Sequence, residues 1–277
     1  MKLKVAMIQM EILGDPFNPF VKEKNLKKAE QLIRQAASEE LDLIVLPDEF
    51  IAGYGYGPLN IPMPFEKRLY PSLCALAKEL HLYIVGSGSD PCGFAVSHNA
   101  GFIIDNQGNL LGTQYRIQVG KVEAQYVKAG EELRVIETPL GRVGMLIGLD
   151  LLYPELAREL VKKGAELLMA PVLTHSEIRE ENGISYDYPK NLYQIAAQAR
   201  AMENGIFVVM TNGVGRHAFS DLPLPGGSLA VGPRGVIHQM GPDESIAYVT
   251  LGDHQADEGY IDLQGINRLR TGELVLG

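Results

Sequence analysis

One carboxylate, two thiols and a pair of backbone amides are the groups whose surroundings in this chain point to chemistry. Glu49 follows the apolar run Leu43-Ile44-Val45-Leu46 and the stop at Pro47. Such a run reads as a buried strand of the parallel type. The carboxyl end of that kind of strand is where α/β folds present groups to ligands, so Glu49 is placed to face one. Its structural alternative is an ion pair or a turn cap. Gly148 and Leu149 stand where an apolar strand gives way to a helix, and their amides can receive an anion there. A tight turn that tolerates glycine is the plainer account of Gly148. Asp150 reads as a cap for the helix that follows. Of the thiols, Cys74 sits in a helical stretch with Leu73 and Leu76 and reads as a small buried hydrophobe. Cys92 follows Pro91 in a loop. None of the six histidines has metal-ligand spacing, and no Gly-x-Gly-x-x-Gly or phosphate loop follows the first strand. No metal and no dinucleotide cofactor is expected.

The elements that must position these groups alternate. Lys2 to Met10 alternates as a strand, and Asn25 to Ala37 has the spacing of an amphipathic helix. Leu43–Leu46 is a strand, Tyr70–Leu80 a helix and Leu82–Gly86 a strand. Phe94–Ile104 and the stretch to Tyr115 read as a hairpin around Asn106-Gln107-Gly108. The second half repeats the theme: strand Gly141–Asp150, helix Pro154–Lys163, strand Glu166–Met169, helix Leu192–Asn204 and strand Ile206–Thr211. A last hairpin, Gly227–Val231 with Val236–Met240, turns at Pro233-Arg234-Gly235. Leu41-Asp42-Leu43 to Pro47 echoes Ala165-Glu166-Leu167 to Pro171, each after a helix. The echo reads either as coincidence or as two similar α/β halves packed face to face.

The 277 residues, 46% hydrophobic and 21% charged, describe an ordinary globular chain with no linker or low-complexity tract. One domain over residues 1–277 is expected, with a tail from about Gly252. A net charge of −9 disfavours nucleic acid as a partner. Two cysteines make no disulfide framework, and the start of the chain carries no signal-like apolar region. A cytoplasmic protein without a membrane partner is expected.

Three segments taken together resemble the nitrilase, or carbon–nitrogen hydrolase, superfamily. They are Leu43-Ile44-Val45-Leu46-Pro47-Asp48-Glu49-Phe50 with Gly53-Tyr54; Tyr115-Arg116-Ile117-Gln118-Val119 with Glu123 and Gly130; and Gly144-Met145-Leu146-Ile147-Gly148-Leu149-Asp150 with Tyr153-Pro154-Glu155 and Arg158. Val5-Ala6-Met7-Ile8-Gln9, Asn99, Gly164-Ala165-Glu166, Arg200-Ala201, Asn204-Gly205 and Gly226-Gly227-Ser228 extend the likeness over most of the chain. The resemblance implies a four-layer α-β-β-α sandwich of two mixed sheets. It also implies a site built on a glutamate, a lysine and a cysteine, in which the thiolate attacks an amide or nitrile carbon. Here Glu49 falls on the glutamate and Glu123 on an accessory glutamate. Counting from Gly108, Arg116 falls on the lysine and Gln118 on a histidine; counting from Tyr115 would put Ile117 on the lysine. The first register also places Glu123 and Gly130. Gly148 falls on the cysteine, and a glycine cannot be a nucleophile.

The resemblance thus implies an amidase-like protein without its thiol. Arg116, a permanent cation with a planar donor fork, either neutralises Glu49 or presents donors to an anion. The leading expectation is a small-molecule-binding or regulatory homologue, with Arg116, Leu149 and Tyr54 around a carboxylate-bearing ligand. The alternative is a hydrolase of an activated C–N bond that uses Glu49 and a water at the space beside Gly148, without a covalent intermediate. A homodimer is expected through the helix from Pro154 and the helix through Gln194–Ala201, whose Ala196, Ala197, Ala199 and Ala201 allow close approach.

Overall fold

The computed structural model describes residues 2–14, 20–53, 70–93, 96–121, 123–174, 178–181, 184–187, 191–216 and 223–252. Tyr54 and the tail expected from about Gly252 lie outside them, save Gly252 itself. Twelve strands form two six-stranded sheets. The first half contributes β1 (Leu3–Gln9), α1 (Phe20–Ala36), β2 (Leu43–Val45), α2 (Tyr70–Leu80), β3 (Tyr83–Gly93), β4 (Val96–Ile104) and β5 (Leu110–Tyr115). The second contributes β6 (Val135–Thr138), β7 (Gly141–Met145), α3 (Pro154–Lys162), β8 (Leu167–Pro171), α4 (Leu192–Asn204), β9 (Phe207–Thr211), β10 (Leu229–Gly232) and β11 (Gly235–Gln239). The strand β12 (Ser245–Leu251) returns to pair with β1.

The sheet orders are β12-β1-β2-β3-β4-β5 and β11-β10-β9-β8-β7-β6. In each, three central strands run parallel: β1, β2 and β3, then β7, β8 and β9. Antiparallel strands flank them, so both sheets are mixed. A helix joins each parallel pair, and the two halves have the same order of elements. The echo that ends at Pro47 and Pro171 therefore marks equivalent strands, β2 and β8.

Strand alternation sorts the core into three parts. Val5, Met7, Leu43, Val45 and Val85 point between the sheets and meet Val143, Met145, Met169 and Val209 there. Ala6, Ile8, Ile44 and Ile84 point the other way, onto Ile33 of α1 and Leu73 of α2. Leu168, Val208 and Leu229 pack on Leu160 of α3 and Ala197 of α4. Helix, sheet, sheet and helix are the layers, as the resemblance implied. No helix among the described residues is long and apolar enough to cross a membrane.

Two expectations need correction. The strand expected over Gly141–Asp150 ends at Met145, and residues Gly148–Leu152 form a 3-10 turn instead. Gly148 has a φ of +52°, in the left-handed region, which no extended strand can contain. Three of the four alanines expected on an outer face of α4 are not there. Ala196, Ala197 and Ala201 are buried against their own sheet, and the outward apolar residue of that stretch is Ile195.

Leu160 is fully buried between α3 and its sheet. Leu160→Ala should lower unfolding free energy by about 2–5 kcal/mol through lost burial and a residual cavity. A urea titration followed by circular dichroism measures it.

Candidate active site

The site forms at the carboxyl ends of the parallel strands, where the two sheets are tied together. The Asp48 amide donates to the Val172 carbonyl at 3.2 Å, and Thr211 Oγ1 donates to the Leu46 carbonyl at 2.7 Å. These bonds hold the turn after β2 against the ends of β8 and β9. Successive residues of that turn, Asp48 and Glu49, are both buried. Glu49 has a φ of +44°, a backbone conformation that a residue with a Cβ adopts only under constraint.

Antiparallel pairing lines up the partners of these carboxyls. Ser89 of β3 lies opposite Asn99 of β4. Arg116 follows Tyr115 of β5, and its amide donates to the Asn99 carbonyl at 2.9 Å. Directly opposed residues share a face, so Glu49, Ser89, Asn99 and Arg116 form one row across the sheet on its inward side. One step deeper, Asp48 pairs with Ser87. Asn99 Nδ2 also donates to Asp48, at 3.0 and 3.2 Å to its two oxygens. Ser89 Oγ stands 3.0 Å from each Glu49 oxygen, and the Glu49 amide donates to Ser87 Oγ at 3.2 Å.

The second half closes the site from the other sheet. Arg116 is only 1% exposed, and its Nη2 pairs with Glu123 Oε1 at 3.0 Å. Glu123 lies in a short 3-10 turn, and its other oxygen accepts the Gly120 amide at 2.9 Å. Asp150 was expected to cap the next helix. Its carboxylate instead accepts the Ile117 and Gln118 amides, at 3.1 and 2.7 Å, and α3 begins only at Pro154 with no side-chain cap. The elbow after β7 is thus bonded to the segment that carries Arg116. Gly148 and Leu149 belong to that 3-10 turn, so their amides do not open an α-helix as expected.

Burial dominates the electrostatics. It pushes the Glu49 carboxyl up to about 8, with the charge of Asp48 adding to the rise; Ser89, Arg116 and Lys22 pull the other way. Asp150 is raised to about 6 by burial, against its backbone donors and Arg116. Burial also lifts the Tyr193 hydroxyl of α4 well above its ordinary value, and that ring feels Arg116, Asp48, Glu123 and Asp150. Lys22, in the first turn of α1, is lowered by burial and feels Glu49. The same helix is fastened over the site turn by Asn25, whose Nδ2 donates to the Ile51 carbonyl at 2.8 Å.

The structure therefore brings Glu49, Arg116, Glu123, Gly148 and Leu149 to one end of the sandwich; Tyr54 lies outside the described residues. Arg116 spends an ion pair on Glu123 as well as influencing Glu49. The thiols stand elsewhere: Cys74 is half-buried on the outer helix α2, and Cys92 is exposed near the end of β3. Sequence reasoning missed Asp48, Ser87, Ser89, Lys22 and Tyr193. Asp48 carried a signal, since it stands directly after Pro47 at the strand end. The two serines alternate along an apolar strand, but only the sheet register tells which face they share.

Carbon-nitrogen hydrolase is the family whose model matches residues 4–257. This chain belongs to that family. Among its relatives are an omega-amidase of Danio rerio, 26% identical over 263 residues, covering 90% of this chain and 88% of the relative. A nitrilase of Pyrococcus abyssi is 27% identical over 246 residues, covering 86% and 84%. The fold matches the carbon-nitrogen hydrolase from Helicobacter pylori G27 with a TM-score of 0.79 at 19% identity, covering 98% of this chain and 93% of that one. It also matches a mutant of an amidase from Nesterenkonia sp. AN1, in which acrylamide has added to the active-site cysteine. That match has a TM-score of 0.77 at 23% identity, covering 92% and 98%.

The raised Glu49 carboxyl has a stability consequence. Its folded value lies above its unfolded one, so the native state keeps a proton that the unfolded state loses. Native stability from this group is undiminished below the ordinary carboxyl value and falls as pH rises toward about 8. Glu49→Gln removes that slope. The stability of Glu49→Gln relative to the parent should therefore increase between pH 5 and pH 8 (roughly the window just described), in urea titrations at both values.

Proposed function

We propose that this family member binds a small C–N compound at the Glu49–Arg116 row and acts on it by carboxyl chemistry, without a thiol. The observation that carries the reading is the buried row itself, two adjacent carboxyls on one side and a paired guanidinium on the other. The chain's two cysteines are Cys74 and Cys92, on the outer helix and the exposed strand end. The resemblance that puts Gly148 on the nucleophile position and Arg116 on the lysine position supports the same reading.

Charge selects the ligand class. Asp48, Glu49, Glu123 and Asp150 gather around Arg116, with Lys22 as the further cation. Among the described residues, carboxyls outnumber cations there even when Glu49 holds its proton. A neutral amide or a cationic C–N group fits that balance better than the carboxylate that Arg116 suggests by type alone, because an added anion meets unpaired repulsion at low dielectric. Glu49, with a carboxyl raised to about 8, is matched to act as a general base near neutral pH. The simplest acceptor of its help is a water that attacks the carbonyl carbon. Proton transfer of this kind typically contributes about 10²–10⁴-fold in rate.

Ammonia release from a panel of small amides, beside thermal shifts with amides, amines and carboxylates, tests the reading. Amides or amines should raise Tm more than carboxylates of the same size. Glu49→Gln should slow ammonia release by at least about 100-fold while amides still bind. Binding without turnover leaves the binding or regulatory homologue; loss of turnover on alkylating Cys74 or Cys92 restores a thiol.

We also propose a homodimer through the outward side of α3 and α4. The support is a set of apolar residues left outside by the fold: Tyr153 is 43% exposed, Ile195 50% and Met202 43%. Ile195→Glu should halve the mass seen by light scattering and leave the urea midpoint of the monomer little changed.

A further inference from the structure

Glu49 is 1% exposed, and the hydroxyl bonded to it belongs to a more accessible residue, Ser89. Ser89 is half-buried, and its Oγ lies 3.0 Å from both Glu49 oxygens. The hydroxyl next to it in the strand alternation, Ser87, is fully buried and committed to Asp48. The two serines therefore differ in access although their strand places them on one face.

We propose that Ser89 is the nucleophile of this site and Glu49 its general base. The inference rests on the reading that the site acts on a C–N carbonyl by carboxyl chemistry, and replaces water by Ser89 in the first step. A hydroxyl held on a carboxylate is the arrangement that nucleophilic catalysis requires. An ordinary carboxylate is too weak a base for this task, and burial beside Asp48 strengthens Glu49. Among the described residues, the groups that face Glu49 include Asp48 from its own turn, Ser89 from β3, Arg116 from the end of β5 and Lys22 from α1. Asp48 is held in turn by Ser87 and Asn99. Arg116, two strands along the row from Ser89, adds a positive charge that Glu49 feels.

The step balances with water as the second reactant. Ser89 Oγ bonds to the carbonyl carbon while its proton passes to Glu49. The C–N bond breaks as Glu49 returns that proton to the departing nitrogen, leaving an ester on Ser89. Water then attacks the ester carbon and gives a proton to Glu49. The C–Oγ bond breaks, the proton goes back to Ser89, and the acid leaves.

An alkyl fluorophosphonate tests the nucleophile directly, since its phosphorus bonds to an activated hydroxyl with loss of fluoride. Intact mass and peptide mapping of the full chain should find one adduct, on Ser89, forming faster as pH rises through about 8. Ser89→Ala and Glu49→Gln should each cut labelling at least about 100-fold. Thermal unfolding of both variants shows whether they are folded, and Ser89→Thr, which keeps a hydroxyl, should retain part of the labelling. If no Ser89 adduct forms while amides are hydrolysed and Ser89→Ala stays active, Ser89 is not the nucleophile and water on Glu49 remains. If Ser89 is labelled and no amide is hydrolysed, the nucleophile stands and the amide reading falls. Neither labelling nor hydrolysis overturns both.

Discussion

Burying Arg116 between two sheets is the constraint on which the rest of the site depends. A guanidinium with no access to water must be matched by charge, since breaking a buried pair costs about 3–5 kcal/mol. Glu123 provides the ion pair, and the Asn99 carbonyl and the two amides bonded to Asp150 hold the backbone around it. Asp150 comes from the other sheet. The bonds that hold the backbone around the buried charge therefore also tie the two halves of the molecule together at their functional end.

The adjacent carboxyls show how environment separates two groups of similar type. Asp48 faces Ser87 and both oxygens receive Asn99, so its partners are donors already committed to it. Glu49 has Ser89, a buried position and the neighbouring charge of Asp48. Desolvation outweighs the pull of Arg116 and Lys22, and the carboxyl keeps its proton to higher pH than usual. A site with one committed carboxyl and one strengthened base has the means for acid–base work in a single turn of chain.

Membership of the carbon–nitrogen hydrolase family explains the sandwich and the place of the site, since parallel strands from both halves end there. It does not by itself carry an activity across, because chemistry belongs to the side chains grafted on a fold. The side chains here are carboxyls, a guanidinium, an amide and hydroxyls. Their mutual geometry sets a buried carboxyl of raised pKa near a paired cation.

The amino-acid order was enough to place Glu49 at a strand end, because an apolar run closed by proline is a local pattern with one physical meaning. The echo of Leu41–Pro47 in Ala165–Pro171 left open whether the two halves are equivalent, and the matching strand orders decided it. What else the amino-acid order left open depends on register and on which face of an element turns inward. Ser89 and Asn99 meet only because β3 and β4 pair where they do. The α4 alanines look like an interface by size, yet the helix rotates Ala196, Ala197 and Ala201 onto its own sheet and leaves Ile195 outside. Asp150 looks like a cap by position, yet its carboxylate accepts amides of a segment more than thirty residues earlier in the chain. Pairing across that separation is decided by the sheets closing on each other, a step that no local pattern encodes.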